Sequence, residues 1–458
     1  MSESPQRISI TEALSAAQDT RCLELGSGVL NRTPEVFQQL FGDKPALLVA
    51  DTNTLAAAGQ AVQEAFRRTG RACREPFIFT DPKLYAEHKL VTELEEALKG
   101  HDAIPVAVGS GTINDLTKLA SHRAGRPYMV VATAASMDGY TAYGASITYQ
   151  GSKQTFSCPA PAGVVADLEV ICAAPEGMNA SGYADLLAKV PAGADWLLAD
   201  ALGLDTIDQT AWAIVQGGLR AAVADPAGVR DRNVEAVRQL TEGLMLGGFA
   251  MQSARSSRVA SGAEHQFSHL WDMQHHVYKG RAPSHGFKVG IGTLAVAGLY
   301  DDLLSRKLED LDVADCCAQW PSEGECERAV RALFRQEDVL AVALKESRAK
   351  WVDAAALGGQ LETLRRIWPD LKGRLREQLI PRSELKAMLL AVGAPVEPQQ
   401  IGISRARLRA SYEQAYYLRR RFTALDLATR CGLLEPALDA MFGPDGPWPM
   451  GRPWSRKI

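Results

Sequence analysis

The chain has 458 residues, 46% of them hydrophobic and 23% charged, with a formal net charge of -4. That length predicts two domains, and that composition an ordinary folded protein. The near balance of charge excludes a global field that would gather nucleic acid or an anionic membrane surface. Eight scattered cysteines with no Cys-x-x-Cys pair exclude a zinc ribbon or a disulfide scaffold and fit a reducing cytoplasm. No uncharged apolar stretch reaches the ~18 residues that a membrane span needs, and Met1 to Arg7 lack the apolar segment of a secretory signal.

Taken in chain order, Gly26-Ser-Gly28 follows a first apolar run and reads as a plain turn. Pro45 to Ala50 is a compact apolar run stopped by Asp51, and residues 54–69 then carry helical spacing up to Gly70. Ile104 to Val108 is a second run, ending in Gly109-Ser110-Gly111. Residues 112–124 are helical in pattern, with Ile113, Leu116, Leu119 and Ala120 on one face. Tyr128 to Thr133 is a third run, and Val164 to Ile171 reads as the last strand. Continuous apolar runs joined by helices predict buried parallel strands, hence an α/β domain.

From Pro175, a residue suited to the first turn of a helix, helical patterns dominate. They cover 175–190, 194–202, 208–224, 233–257, 262–278, 286–304, 325–346, 350–366, 371–378, 382–393 and 404–432. The sequence therefore divides into residues 1–174, an α/β nucleotide-binding domain, and residues 175–458, an all-α domain. The tail from Gly443 to Trp454 is too rich in Pro and Gly for regular structure; it reads as a loose arm or one that docks on a neighbour.

Gly109-Ser110-Gly111-Thr-Ile-Asn114-Asp115 joins a predicted strand to a predicted helix, where glycines and free helix N–H groups suit a pyrophosphate. Asn114 stands where the dinucleotide fingerprint has a third glycine. Asp51, at a strand end, suits either the ribose hydroxyls of NAD or a helix N-cap. Thr133-Ala-Ala-Ser136-Met-Asp138 follows the third strand, and its small residues would let a cofactor or substrate lie against the backbone, with Asp138 facing the same cleft.

Five of the eight histidines fall between His265 and His285. His265 and His269 are four apart and share a helix face. Asp185 sits among small and apolar neighbours, where a carboxylate is costly unless it is paired or binds metal. Two imidazoles and a carboxylate leave coordination positions open, as a catalytic ion needs. His275 and His276 read as exposed helix residues, and Glu264 as either a support for the ligands or plain surface.

Together these motifs resemble the iron-containing alcohol dehydrogenase-like superfamily, with a dehydroquinate synthase-like fold. Within it they are most similar to the sn-glycerol-1-phosphate dehydrogenase branch. The residues that carry the resemblance are Gly109 to Lys118, Thr133 to Tyr140, Gly182 to Lys189, Ser257 to His269 and His285-Gly286, in the family's order; beyond residue 300 it rests mainly on Tyr417 to Asp426. The resemblance implies an N-terminal α/β nucleotide domain, a helical domain, and an active site between them. It puts Asp185, His265 and His285 on the metal ligands and His269 on a second active-site histidine near the nicotinamide. Lys189 stands where broader relatives carry a further metal-binding histidine, which favours zinc or nickel over iron. Gly109, Ser110, Gly111, Asn114, Asp115, Thr133, Ser136 and Asp51 are then the candidate contacts to NAD or NADP.

The reaction implied is reversible reduction of dihydroxyacetone phosphate to sn-glycerol 1-phosphate. His269 would relay a proton, Asp138 would hold a substrate hydroxyl, and Arg258 would meet the phosphate. The alternatives are another polyol or phosphosugar dehydrogenase of the same fold, or a dehydroquinate synthase-like cyclase. The expected partner is a small phosphorylated substrate, with no nucleic acid and no membrane span, in a cytoplasmic homodimer or larger homo-oligomer.

Overall fold

A computed structural model describes residues 7–149 and 152–450. It contains a six-stranded, all-parallel sheet in the order β1-β8-β5-β4-β2-β3. The strands are β1 (Cys22–Gly26), β2 (Ala46–Asp51), β3 (Phe77–Phe79), β4 (Ile104–Gly109), β5 (Met129–Ala132) and β8 (Gly163–Asp167). A separate antiparallel hairpin, which the sequence does not announce, pairs β6 (Ala145–Tyr149) with β7 (Ser152–Phe156). Strands β4, β5 and β8 are buried along their whole length, and β2 up to Asp51, which is why they read as unbroken apolar runs. Phe37 and Phe66 meet edge to face at 5.0–5.4 Å spacing with Phe41 on one side of this core.

Register aligns the carboxyl ends of the central strands. Val49 pairs with Ala107 and Gly109 with Ala132, so Asp51, Gly109 and Thr133 emerge on one edge of the sheet. That edge is where open parallel sheets bind ligands. The last strand is shorter than the apolar run suggests. Asp167 turns the chain into the helix Leu168–Cys172, its carboxylate accepting from the N–H of Glu169 at 2.9 Å.

The chain forms two compact units. One takes the chain to Leu186 together with Asp208–Val259 and Ala391–Ala394. Its helix Val234–Ala254 locks onto the segment after β5: Thr141 Oγ1 donates to the Met245 carbonyl at 2.7 Å, and a Cβ on Gly248 would lie 2.0 Å from that hydroxyl. The second takes Leu187–Ile207, Ala260–Leu390 and the chain from Pro395 onwards. Every described element of this second unit is helical.

Several helices differ from their sequence pattern. The pattern over 350–366 and 371–378 is one helix, Ala354–Gln378, which runs through Pro369 because Leu361, Leu364, Trp368, Leu371 and Leu375 keep one buried stripe across it. The pattern over 404–432 is two helices, Arg405–Tyr416 and Ala424–Arg430, the second started by a Thr423/Asp426 capping box. That over 325–346 is likewise two, Glu323–Leu333 and Glu337–Lys350. The helix with the histidines ends at Met273, and His275 lies beyond it with φ 52. His276 is half-buried, its Nε2 2.7 Å from the Ile401 carbonyl and its Nδ1 2.8 Å from Arg407. The tail docks on its own unit: Trp448 is buried against Phe442 at 5.7 Å. Residues from Gly451 to Trp454 of that tail lie outside the described residues. Among the described residues, no helix is long and apolar enough to cross a membrane.

Candidate active site

Strand β4 ends at Gly109, and Ser110 leads into the helix Gly111–Arg123 without a side-chain cap. The first N–H groups of that helix have no intrahelical acceptor, and they carry the positive end of its dipole. A Cβ on Gly109 would lie 2.6 Å from Ile113, so only glycine makes this turn; one on Gly111 would lie 3.2 Å from Met137. This is a turn that admits a phosphate close to backbone.

The loop after β5 is held from four sides. The Thr133 N–H donates to the Gly109 carbonyl at 3.2 Å. The Tyr140 hydroxyl donates to the Ala134 carbonyl at 2.8 Å. Asn179 accepts the Ala135 N–H at 3.0 Å and donates to Ile171 at 2.9 Å. Finally, Lys118 is buried and gives its ammonium to the carbonyls of Gly139, Ala142 and Gly144 at 3.0, 2.8 and 3.0 Å. Burial lowers the pKa of Lys118 and raises that of neighbouring Asp115.

Four of the candidate cofactor contacts, Asn114, Asp115, Asp51 and Ser136, bond to the protein's own chain. Asn114 donates to the Gly139 carbonyl at 3.3 Å and accepts from the Tyr128 hydroxyl at 3.0 Å. Asp115 accepts the Ser146 N–H at 3.1 Å. Asp51 caps its helix, with Oδ1 accepting from Asn53 and Thr54, each at 2.8 Å. Such a cap is worth about 1 kcal/mol. Ser136 offers its carbonyl to the Ser181 hydroxyl at 3.4 Å. Lys118 was no candidate in the sequence, although a lysine inside an apolar helix face is a signal of the same kind as Asp185.

Asp185 lies in the helix Met178–Leu187 with 0% exposure, and its Oδ2 accepts the Asp138 N–H at 3.2 Å. Burying a carboxylate costs several kcal/mol unless its charge is compensated, and a cation is one group that can do so. His265 and His269 lie on the helix Ala263–Met273, with ring centroids 6.3 Å apart, and His285 begins the helix His285–Ser305, its ring 5.4 Å from that of His265 and 6.5 Å from that of His269. Asp185, His265 and His285 each present one ligand atom, all within 4.8 Å of one another.

The donor set fits a divalent cation. His265 is oriented by Glu264, whose Oε1 is 2.8 Å from Nδ1 and also accepts the Gly262 N–H at 2.6 Å. That contact fixes the ring and leaves Nε2 for an ion. Glu264 is fully buried, so its supporting role replaces the surface alternative. His285 Nδ1 is 3.4 Å from the Ser268 hydroxyl. Arg258 lies on the turn Ser257–Ala260 and is only 5% exposed, so it is not a surface arginine.

The chain is similar in sequence and fold to known dehydrogenases. A family model described as iron-containing alcohol dehydrogenase matches residues 24–175. A glycerol-1-phosphate dehydrogenase (NAD(P)+) of Halalkalibacterium halodurans is 34% identical over 290 residues, covering 63% of this chain and 72% of that protein. One from Geobacillus thermodenitrificans is 29% identical over 396 residues, covering 86% and 88%. The crystal structure of a probable glycerol dehydrogenase from Sinorhizobium meliloti shares the fold at a TM-score of 0.58 and 16% identity, over 92% of this chain and 95% of that one.

Proposed function

The chain belongs to the glycerol-1-phosphate dehydrogenase (NAD(P)+) family, and from that premise we propose that it reversibly reduces dihydroxyacetone phosphate to sn-glycerol 1-phosphate. The observation that carries the reading is the convergence of Asp185, His265 and His285 within 4.8 Å. Asp185, His265 and His285 would hold a divalent cation that would supply Lewis acidity to the carbonyl, and the Gly109–Gly111 turn would hold NAD(P)H, the source of the hydride.

The chain's own residues have the remaining work. The Gly109-Ser110-Gly111 turn takes the dinucleotide phosphates on its N–H groups, and Thr133 and Ser136 line the neighbouring backbone. Asn114 and Asp115 shape that surface through the bonds they make to Gly139 and Ser146. Asp51 uses Oδ1 as a cap, which leaves Oδ2 for a ribose hydroxyl. His269 delivers a proton to the new alkoxide oxygen, Asp138 holds a substrate hydroxyl, and Arg258 meets the phosphate dianion.

Lys189, where broader relatives have a histidine, supports zinc or nickel over iron. We assign the nucleotide to the half up to residue 174 and the metal and substrate to 175–458, in a cytoplasmic homo-oligomer. The test is oxidation of NADH by dihydroxyacetone phosphate, followed by nicotinamide absorbance on chelated enzyme and again after zinc or nickel is restored. Metal-dependent oxidation that fails with unphosphorylated dihydroxyacetone supports the reading. No oxidation with any metal, while NAD still binds, overturns it in favour of a cyclase that recycles its nicotinamide.

A further inference from the structure

A second carboxylate lies behind the histidine pair. Asp195, on the helix Lys189–Ala201, is 0% exposed and flanked by Ala194, Trp196, Leu197 and Leu198. Its Oδ2 accepts the Ala263 N–H at 2.7 Å. Its Oδ1 accepts the Ala424 N–H at 2.8 Å and the Tyr300 hydroxyl at 2.7 Å. These donors offset the cost of burying the charge.

The identity of the donors matters more than their number. Ala263 is the first residue of the helix that carries His265 and His269, and its N-cap, Gly262, offers no side chain. Tyr300 belongs to the helix that His285 begins. Ala424 opens the helix Ala424–Arg430. One carboxylate thus caps the first histidine helix and grips the second. Its charge also suits the positive ends of the two helices that start at Ala263 and Ala424. The turn is closed tightly over this anchor: a Cβ on Gly262 would lie 2.4 Å from Asp195 Oδ2 and 2.9 Å from Glu264 Oε2.

We propose that Asp195 is a positioning residue that sets the spacing of His265 against His285, and thereby the affinity of the metal site. The inference rests on the metal assignment above. Asp195→Asn keeps the volume but turns an amide N–H toward one of three donors, so the two histidine helices lose their common register. Tyr300→Phe removes one donor at little structural cost.

The full chain, stripped of metal, is titrated with zinc, and the visible absorption of the cobalt(II)-loaded protein reports ligand geometry. Thermal unfolding of the stripped proteins is followed in parallel. Asp195→Asn is expected to weaken zinc binding by about 10–100-fold and to change the cobalt spectrum. Tyr300→Phe is expected to weaken binding about fivefold. Val330→Ala, a buried truncation on the helix Glu323–Leu333, should lower the melting temperature and leave zinc affinity unchanged. Unchanged affinity in both Asp195→Asn and Tyr300→Phe overturns the proposal, as does equal loss in Val330→Ala. If Asp195→Asn fails to fold, Tyr300→Phe decides alone. A parent chain that binds neither ion overturns the metal assignment itself, and the proposal with it.

Discussion

The backbone N–H of Asp138 donates to Oδ2 of Asp185 at 3.2 Å. The loop after β5 is thereby tied to the helix that carries a candidate metal ligand. A change at Asp185 therefore acts twice, on the ion and on the loop proposed to face the substrate.

Asp185→Ala removes both the ligand and the acceptor. We expect turnover to fall by more than ~100-fold and metal to be lost on dialysis. Asp185→Asn keeps an oxygen for Asp138 but loses the charge, so it should retain the fold and still release metal. Metal content and kcat measured on the same preparations check this; full activity in either variant would contradict the site.

Gly182 faces the same loop, and a Cβ there would lie 1.9 Å from the Ala135 carbonyl oxygen. Backbone cannot swing aside as a side chain can. Gly182→Ala should cost about 1–3 kcal/mol of stability and lower kcat/KM through the displaced loop. Denaturant unfolding and steady-state kinetics measure the two effects separately.

Glu264→Gln preserves shape but replaces the anionic acceptor of His265 Nδ1 with a neutral one. Metal affinity should fall about 10-fold or more, with little change in the far-ultraviolet spectrum. Equal affinity in the variant would show that a neutral oxygen acceptor at His265 Nδ1 serves the site as well as the carboxylate.

Much of this site is visible in the sequence, and what is hidden shares one cause. β2, β4 and β5 are legible because strands buried on both faces are unbroken apolar runs. The histidines are legible by their density, and the grouping of Asp185 with His265 and His285 comes from the family resemblance. Asp185 is legible because a carboxylate is the wrong kind of side chain for its neighbourhood. Asp195 meets the same criterion, yet two of its partners are backbone N–H groups at Ala263 and Ala424. No side-chain pattern announces those. The hairpin β6–β7 carries Ser, Thr, Lys and Gln, so it lacks an apolar run. The break before Ala424 depends on a two-residue cap within a stretch of good helix formers. Side-chain character is read directly, whereas backbone partners across the fold are not.

Burial holds the Cys431 thiol at a pKa of about 12 against an ordinary 9.0. Its folded pKa is therefore raised. Below pH 9.0 the contribution is fully present; above it the unfolded chain releases the proton first, and stability falls until the folded thiol ionises near pH 12. Cys431→Ala should lose stability less steeply with alkali, by up to about 1.4 kcal/mol per pH unit. Urea unfolding from neutral pH to about pH 10 tests the sign and the slope. An unchanged slope in the variant would count against a buried neutral thiol.

The sheet's outermost pairing has a consequence for how the chain is made. Cys22 of β1 lies in register beside Gly163 of β8. On the ribosome the first strand must wait, unpaired, until the last one has emerged. Four other strands of the sheet, the β6–β7 hairpin and the connecting helices are synthesised in between, and loop closure over such a span is slow. The early chain thus carries an open strand edge through most of the synthesis of this sheet. That edge is where chaperone capture or premature aggregation of this protein would begin.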